Sequence, residues 1–136
     1  MSRYLLDSDI AIELLRGRNL PLAEKLASVS RQEVFLSTVT VSELLFGAYR
    51  SRDPQRSLSV CRQFWLSFQT LSLDEAAAER AANVRSQLEE KGQRIGAYDV
   101  LIAGVALTHE CIMVTHNTRE FERVPDLQLQ DWIQAP

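Results

Sequence analysis

The sequence predicts an α/β fold in which a short parallel β-sheet is flanked by helices on both faces. Short apolar runs alternate along the chain with longer segments in which apolar residues recur at helical spacing. Such alternation is typical of parallel strands connected by helices that cover both faces of the sheet. A chain of 136 residues is long enough for its own core, and we expect residues 1–136 to form a single domain.

The predicted strands are apolar runs that end at polar or turn residues; they cover 5–6, 34–36, 71–73, 112–114 and 127–129. The predicted helices carry apolar residues three or four positions apart; they cover 9–16, 21–30, 41–50, 55–68, 74–91 and 98–109. Gly17 and Gly92 follow two of these helices, as is common after a helix C-terminus. Asp53 before Pro54, and Asp74 before an Ala-rich segment, are typical helix starts.

Composition excludes several classes of protein. Apolar residues make up 46% and charged residues 24% of the chain, which is ordinary for a globular protein. The sequence contains neither a signal-peptide core nor an apolar run of the roughly 20 residues that span a bilayer. We therefore expect a cytoplasmic protein. Cys61 and Cys111 are isolated and are predicted to be free core residues, and two histidines are too few for a zinc site.

The basic residues are unusual in kind. The net charge of −3 argues against non-specific nucleic-acid binding over the whole surface, but 13 of the 15 basic residues are arginine. Arginine suits bidentate contacts with phosphate or carboxylate groups, although a GC-rich genome would also favour it. The candidates for phosphate contacts are Arg16, Arg18, Arg50, Arg52, Arg94 and Arg119.

Polar side chains follow two predicted strands at the point where each strand ends. Asp7 follows the first strand, and Thr115, His116 and Asn117 follow the fourth. The carboxyl ends of parallel strands lie at one edge of a sheet, where ligands bind in such folds. Glu43 and Asp99, which we place in the first turns of two helices, can reach the same edge.

Three carboxylates brought together in this way need a cation between them. Asp7, Glu43 and Asp99 lie in apolar or small-residue settings, where an isolated charge is costly. Close carboxylates repel and raise one another's pKa unless a cation offsets their charge. A hard divalent ion, Mg²⁺ or Mn²⁺, suits an all-oxygen site. The sequence therefore predicts a metal-dependent hydrolase that acts on phosphodiesters.

Each of these residues also has a purely structural interpretation. Asp7 can cap a helix, and Glu43 fits a capping box that starts at Thr40. Asp9 and Asp99 can be first-turn acids that the helix dipole favours. Asn117 offers a neutral oxygen ligand or a hydrogen bond to a metal-bound water, but Asn is also common in turns.

In combination, four segments resemble the PIN-domain ribonucleases and, more narrowly, the VapC toxins of bacterial type II toxin–antitoxin pairs. These segments lie in the same order along the chain as in the family; they are YLLDS from Tyr4, VSELLFGA from Val41, IGAYDVLIA from Ile95 and VTHNTREF from Val114. The resemblance continues through Val124–Leu127 and the terminal Asp131–Trp132. It therefore covers nearly the whole chain.

The resemblance implies a PIN-like fold and an endoribonuclease whose acidic pocket binds Mg²⁺ or Mn²⁺. The implied substrate is RNA, often structured RNA such as tRNA. The implied partner is a VapB-type antitoxin whose C-terminal segment occupies the pocket, and family members are usually dimers. Asp7, Glu43 and Asp99 fall on the core acids of the family, and Asn117 falls where many relatives have a fourth acid. Thr115 and Arg119 are predicted to contact the substrate.

Two other interpretations compete with this one. Asp7 and Asp9 after a strand also resemble the opening motif of haloacid-dehalogenase-type phosphatases, but the later Gly-Asp pair and the essential lysine of that family are not evident. A binding module without catalysis is the second alternative. The presence of all three core acids gives no support to such a loss of activity.

Overall fold

The computed structural model describes residues 2–133 and contains a five-stranded parallel sheet. The order of the strands across the sheet is β3-β2-β1-β4-β5, and every neighbouring pair is parallel. The strands are β1 (Tyr4–Leu6), β2 (Val34–Ser37), β3 (Gln69–Leu71), β4 (Ile112–Val114) and β5 (Leu129–Gln130). The predicted parallel α/β fold is therefore confirmed.

Within residues 2–133, seven α-helices connect or follow the strands. They are α1 (Ser8–Arg16), α2 (Leu20–Ala27), α3 (Thr38–Tyr49), α4 (Pro54–Leu66), α5 (Glu75–Glu90), α6 (Ala97–Thr108) and α7 (Thr118–Phe121). A short 3-10 turn, Arg31–Glu33, precedes β2. No helix in this part of the chain is long and apolar enough to cross a membrane.

The sheet separates two hydrophobic cores because successive strand residues point to opposite faces. In the central strand, Leu5 belongs to the core formed with α5 and α6, whereas Leu6 belongs to the core on the side of α1, α3 and α4. The neighbours follow the same alternation, since Leu5 pairs with Phe35 and Met113. Helices on both faces therefore bury every side chain of the central strand except that of Tyr4, which is partly buried.

Several predicted boundaries are confirmed and others are wrong. Asp53 and Asp74 cap α4 and α5 as predicted, with their carboxylates accepting the backbone N–H groups of Arg56 and Ala77. The third strand ends at Leu71 and does not cover 71–73. Beyond the end of that strand, the N–H of Leu73 donates to the hydroxyl oxygen of Thr38 (3.1 Å) and not to a carbonyl of a neighbouring strand.

The last strand lies at Leu129–Gln130 and not at 127–129, and the sequence pattern did not predict the four-residue helix α7. Short elements carry too few apolar residues to show a period, so pairing with β4 decides where the last strand lies. Cys61 and Cys111 are free and buried, as predicted.

The close approach of α5 and α6 depends on a glycine. A Cβ placed on Gly104 would lie 2.7 Å from the carbonyl oxygen of Ala77 and 2.7 Å from the Cβ of Ala81. These distances are shorter than any normal contact, and one of the two neighbours is backbone. The backbone of α6 therefore fits against α5 only without a side chain at position 104.

We predict that Gly104→Ala destabilises the protein by about 1–3 kcal/mol, the usual cost of overfilling a packed core. Urea denaturation with a global spectroscopic signal measures the free energy of unfolding. Gly47→Ala in α3 is the matched control, because no atom lies within 4 Å of the added Cβ. That change replaces a helix-interior glycine and is expected to stabilise by about 0.5–1 kcal/mol. Equal stability changes in the two variants would contradict the proposed packing.

Candidate active site

The buried polar residues of the structure lie together at one edge of the sheet. Among residues 2–133, the buried polar or charged residues are Asp7, Ser8, Ser37, Thr40 and Thr115. They follow or terminate β1, β2 and β4 at the carboxyl ends of these strands, or lie in the first turn of the helix after β2. Burial of polar groups is costly, so their concentration at this edge marks the candidate site.

Asp7 lies at the centre of this edge and is only 4% exposed. Its Oδ1 accepts the backbone N–H of Ser8 and its Oδ2 accepts the hydroxyl of Thr115, both at 2.8 Å. Its own N–H donates to the carbonyl of Val114 in the neighbouring strand (2.8 Å). Asp7 is also the N-cap of α1, so the structural interpretation of this residue is correct and does not exclude a functional one.

A chain of hydroxyl groups connects α1 to Glu43. The hydroxyl of Ser8 donates to Oε1 of Glu43 (2.6 Å) and lies 3.0 Å from the hydroxyl oxygen of Thr40. Helix α3 begins at Thr38 and is capped by Ser37, whose Oγ accepts the N–H of Thr40. The capping box starting at Thr40 is therefore wrong. Glu43 is the sixth residue of α3 and not a first-turn residue, so its carboxylate is directed to Ser8.

Asp99 lies in the first turn of α6, as predicted, and is partly buried. Gly96 at the N-cap provides room for it, because a Cβ at position 96 would lie 2.9 Å from Oδ2 of Asp99. The loop before α6 is fixed by Glu120, whose Oε1 accepts the N–H of Gly96 (2.8 Å). Oε2 of Glu120 accepts the side-chain amide of Asn117 (3.0 Å). The turn after β4 therefore positions the segment that carries Asp99.

Asp9 also faces this edge. Its Oδ1 accepts the N–H of Ile10 (2.7 Å) and its Oδ2 accepts the N–H of His116 (3.1 Å). The second bond connects α1 to the turn after β4. Asp9 is therefore more than a first-turn acid favoured by the helix dipole.

The carboxylates at this edge perturb one another's pKa. Burial, followed by repulsion from Asp9, raises the pKa of Asp7 to about 8, and Asp99 contributes in the same direction. Burial raises the pKa of Asp99 to about 6, and the charges of Glu120, Glu43 and Asp9 add to this shift. Burial also raises the pKa of Asp9.

Glu120 differs from its neighbours, because the hydrogen bonds from Asn117 and Gly96 lower its pKa. The acids are thus close enough to interact. Burial disfavours ionisation of Asp7, Asp9 and Asp99, and repulsion adds to this effect at Asp7 and Asp99.

The side chains do not form a finished metal cage. Within residues 2–133, no group of three or more His, Cys, Asp or Glu side chains is arranged to hold a metal ion. The donor set itself consists of carboxylate oxygens, which hard divalent cations prefer. A cation at this edge would relieve the repulsion that raises the pKa of Asp7 and Asp99.

The predicted site residues differ in burial and in the contacts that they make at this edge. Asp99 interacts electrostatically with Asp7 and with Glu43. Thr115 is fully buried, and its hydroxyl donates to Asp7 and accepts the N–H of Asn117 (3.0 Å). Arg119 is exposed on α7. Substrate contacts by Thr115 and Arg119 stay predictions.

The sequence analysis missed Ser8 and Thr40, and it assigned Glu120 no part in placing Asp99. Two signals pointed to the hydroxyl residues, since Ser8 directly follows Asp7 and Thr40 lies beside a strand end. Neither signal indicates a hydrogen-bond partner more than 30 residues away in the sequence. The position of Glu120 depends on α7, which is too short to predict.

Comparison with known proteins identifies relatives of the whole chain. Residues 4–127 match the PIN domain. The chain is 36% identical over 132 residues to the tRNA(fMet)-specific endonuclease VapC of Shigella flexneri, covering 97% of this chain and 99% of that protein. It is 32% identical over 133 residues to ribonuclease VapC2 of Haemophilus influenzae, covering 98% and 100%.

Several solved structures of similar fold are toxin–antitoxin complexes. One is DNA-bound VapBC from Salmonella typhimurium, with a TM-score of 0.91, 32% identity, and coverage of 97% of this chain and 99% of that chain. Another is VapBC-1 from nontypeable Haemophilus influenzae, with a TM-score of 0.87, 30% identity, and coverage of 96% and 98%.

The raised pKa of Asp7 predicts the pH dependence of stability in the metal-free protein. A carboxyl group whose pKa rises on folding, here from 3.8 to about 8, stabilises the fold fully at low pH. This stabilisation is lost as the pH rises through about 8. We expect the free energy of unfolding of wild type to fall, relative to Asp7→Asn, between about pH 4 and pH 8.

Urea titrations across this pH range measure the difference. Glu90→Gln, at an exposed position of α5, is the control and is expected to keep the wild-type slope. A slope in Asp7→Asn equal to that of wild type would contradict the assignment of the shift to Asp7.

Proposed function

The chain belongs to the PIN-domain family and, within it, to the VapC ribonucleases, and on this premise we propose that its acidic edge is a divalent-metal site that cuts structured RNA. The protein is a toxin–antitoxin endoribonuclease. The observation that carries the site assignment is the group of interacting carboxylates at the carboxyl ends of the central strands. We also propose that residues 1–136 form one domain.

The residues that would hold Mg²⁺ or Mn²⁺ are Asp7, Asp99 and Glu43. Their oxygens suit a hard cation, and the raised pKa of Asp7 and Asp99 gives a reason for a cation to bind. Since the side chains do not form a cage, we propose that these carboxylates rotate when a cation binds. With a divalent ion held by these acids, the site would supply an activated water and would offset charge on the phosphate oxygens during phosphodiester hydrolysis.

The chain itself contributes orientation of the acids. Thr115 and the N–H of Ser8 hold the two oxygens of Asp7, and the hydroxyl of Ser8 holds Glu43. Asn117 acts through Glu120, which fixes the loop before Asp99. We therefore assign Asn117 as a positioning residue for the catalytic acids. Such outer contacts orient ligands and tune their charge.

The substrate class follows from the relatives and from exposed arginine. The Shigella flexneri relative is named as specific for tRNA(fMet), and we propose a structured RNA, such as a tRNA, for this chain. Arg119 is exposed on α7 next to Glu120 and is proposed to contact RNA phosphate, for which its planar guanidinium is suited. The substrate contact predicted for Thr115 is proposed to be indirect, through Asp7, because the Thr115 side chain is fully buried and its hydroxyl donates to Asp7.

The proposed partner is a VapB-type antitoxin. Related toxins occur in VapBC complexes, one of them bound to DNA. In this chain an apolar groove of about 420 Å³ lies between α1, α3 and α4, lined among others by Ile12, Leu44 and Val60. Glu43 also lines this groove, so a bound segment of the antitoxin would lie next to the acids. A homodimer, higher toxin–antitoxin assemblies and a cytoplasmic location complete the proposal.

The two competing interpretations are now distinguishable. The match to the PIN domain along residues 4–127 replaces the haloacid-dehalogenase comparison, which was based on Asp7 and Asp9 alone. The binding-module alternative is tested by growth arrest. If Asp99→Ala arrests growth as strongly as wild type when expressed alone, catalysis is not the toxic activity.

We predict that Asp7→Asn, Glu43→Gln and Asp99→Asn each reduce RNA cleavage by more than about 100-fold, which exceeds the 10–100-fold loss typical of residues outside the ligand shell. The amide keeps the shape of each side chain and removes its charge. Cleavage of total RNA, followed by sequencing of the new 5′ ends, measures activity and maps the cut. Glu90→Gln is the control and is expected to cleave at the wild-type rate. Retention of activity in Asp99→Asn would refute the site.

Metal dependence gives a second prediction, which concerns binding and not only turnover. EDTA is expected to abolish cleavage, and Mg²⁺ or Mn²⁺ to restore it. The same ions are expected to raise the melting temperature of wild type, because a ligand that binds only the folded state stabilises it. Asp7→Asn and Asp99→Asn should show a much smaller rise in a thermal-shift assay. Full cleavage in EDTA, or an equal rise in all variants, would refute the metal site.

A further inference from the structure

The strongest feature that the proposed mechanism does not use is the pair formed by His116 and Asp131. Nδ1 of His116 lies 2.9 Å from Oδ2 of Asp131. The Asp131 side chain is only 9% exposed, and its Oδ1 accepts the backbone N–H of Ile133 (2.9 Å). The His116 side chain is 57% exposed. A nearly buried carboxylate therefore fixes one side of an imidazole whose side chain is more than half exposed among the described residues.

The pair lies at the rim of the acidic edge. The backbone N–H of His116 donates to Oδ2 of Asp9 (3.1 Å). The residues on either side of His116 also support the site, since Thr115 donates to Asp7 and Asn117 donates to Glu120. Two contacts therefore fix the imidazole relative to the acids: the backbone bond to Asp9 and the ring contact with Asp131. A substrate strand with its scissile phosphate at Asp7 would pass this rim.

We propose that His116 binds the RNA strand through Nε2, with a ribose 2′-hydroxyl next to the cleaved bond as its partner, and that Asp131 is the positioning residue for the imidazole. The inference rests on the proposed function, because it needs RNA at the acidic edge. It adds a group by which the site distinguishes RNA from DNA, since only RNA carries this hydroxyl.

The hydrogen-bonding chemistry favours the 2′-hydroxyl. A carboxylate can only accept, so Asp131 favours the tautomer with hydrogen on Nδ1. A neutral imidazole then presents Nε2 as an acceptor, and a protonated one presents Nε2–H as a donor. A hydroxyl can donate or accept and therefore pairs with either form. A phosphate oxygen pairs with the protonated form alone.

The charges around His116 favour a neutral partner as well. A second phosphate at this rim would approach the carboxylates of Asp131 and Asp9, which lie on the ring side and the backbone side of His116. A ribose hydroxyl adds no charge and avoids this repulsion. Metal-assisted hydrolysis uses water as the nucleophile, so the 2′-hydroxyl is free to serve recognition.

The test combines one substitution in the protein with single substitutions in the RNA. The substrate is a stem-loop carrying the mapped cut site, made as all-ribose RNA and as a set with one 2′-deoxy nucleotide at each position around the cut. Wild type and His116→Ala are compared by kcat/KM on each substrate. Arg85→Ala, at an exposed position of α5, is the control.

We expect one 2′-deoxy substitution to lower kcat/KM of wild type by about 3- to 10-fold, the usual worth of one hydrogen bond. His116→Ala should lower kcat/KM on all-ribose RNA by the same factor, mainly through KM. On that one deoxy substrate, wild type and His116→Ala should be equal, because the bond is already absent. His116→Gln, which keeps a donor and an acceptor, should recover part of the loss.

If the loss of kcat/KM caused by His116→Ala multiplies with the loss caused by the deoxy substitution at every position, the inference is overturned. It is also overturned if His116→Ala causes no loss of kcat/KM on all-ribose RNA. A loss in His116→Ala that is the same on every substrate and falls steeply with salt would show that the imidazole contacts phosphate, and would overturn it too. If wild type cuts no RNA, it is the proposed function that fails. The two failures are therefore distinguishable.

Asp131 is tested by Asp131→Asn, which changes the charge with little change of shape. We expect a smaller loss of kcat/KM than in His116→Ala on all-ribose RNA, and no further loss when the two substitutions are combined. Independent, multiplying losses would overturn the positioning role. The melting temperature of each variant separates this result from loss of folding.

Discussion

The structure depends on the burial of one carboxylate, Asp7, at the end of the central strand. Parallel pairing of β1 with β2 on one side and β4 on the other leaves the residue after Leu6 little freedom. Its N–H is fixed to Val114, and its two carboxylate oxygens are fixed by Ser8 and Thr115. The remaining parts of the site are arranged around this fixed group.

Hydrogen bonds at this edge oppose burial and repulsion in setting the charge of Asp7. The hydrogen bonds to Asp7 favour its charged form, while burial and Asp9 favour its neutral form and prevail, with a pKa of about 8. Stability alone would not favour a sheet edge with Asp7, Asp9 and Asp99 together, because burial raises the pKa of all three. Proteins keep such strain at functional sites, where perturbed pKa values are concentrated. In the proposed function, the unfavourable electrostatics of this edge is the driving force for binding a cation.

Different surfaces around the acids suit different partners. The apolar groove between α1, α3 and α4 opens beside Glu43 and suits a folded protein segment. In addition, α7 and the turn after β4 present exposed Arg119 and His116, which suit an RNA strand. Both surfaces border carboxylates of the acidic edge, Glu43 in the groove and Asp9 beside His116. An antitoxin in the groove and an RNA at the rim would therefore compete for access to the acids without sharing all of their contacts.

The sequence by itself determined the fold class and the strand-end position of Asp7, because short apolar runs and helical periods are local patterns. The helix starts at Asp53 and Asp74 are local for the same reason. The tertiary structure alone decided that α3 starts at Thr38, which places Glu43 opposite Ser8. It also decided that Glu120 holds the loop before Asp99 and that Asp131 holds His116. These contacts join residues 15 to 35 positions apart, and only the packing of the sheet and its helices brings them within hydrogen-bonding distance.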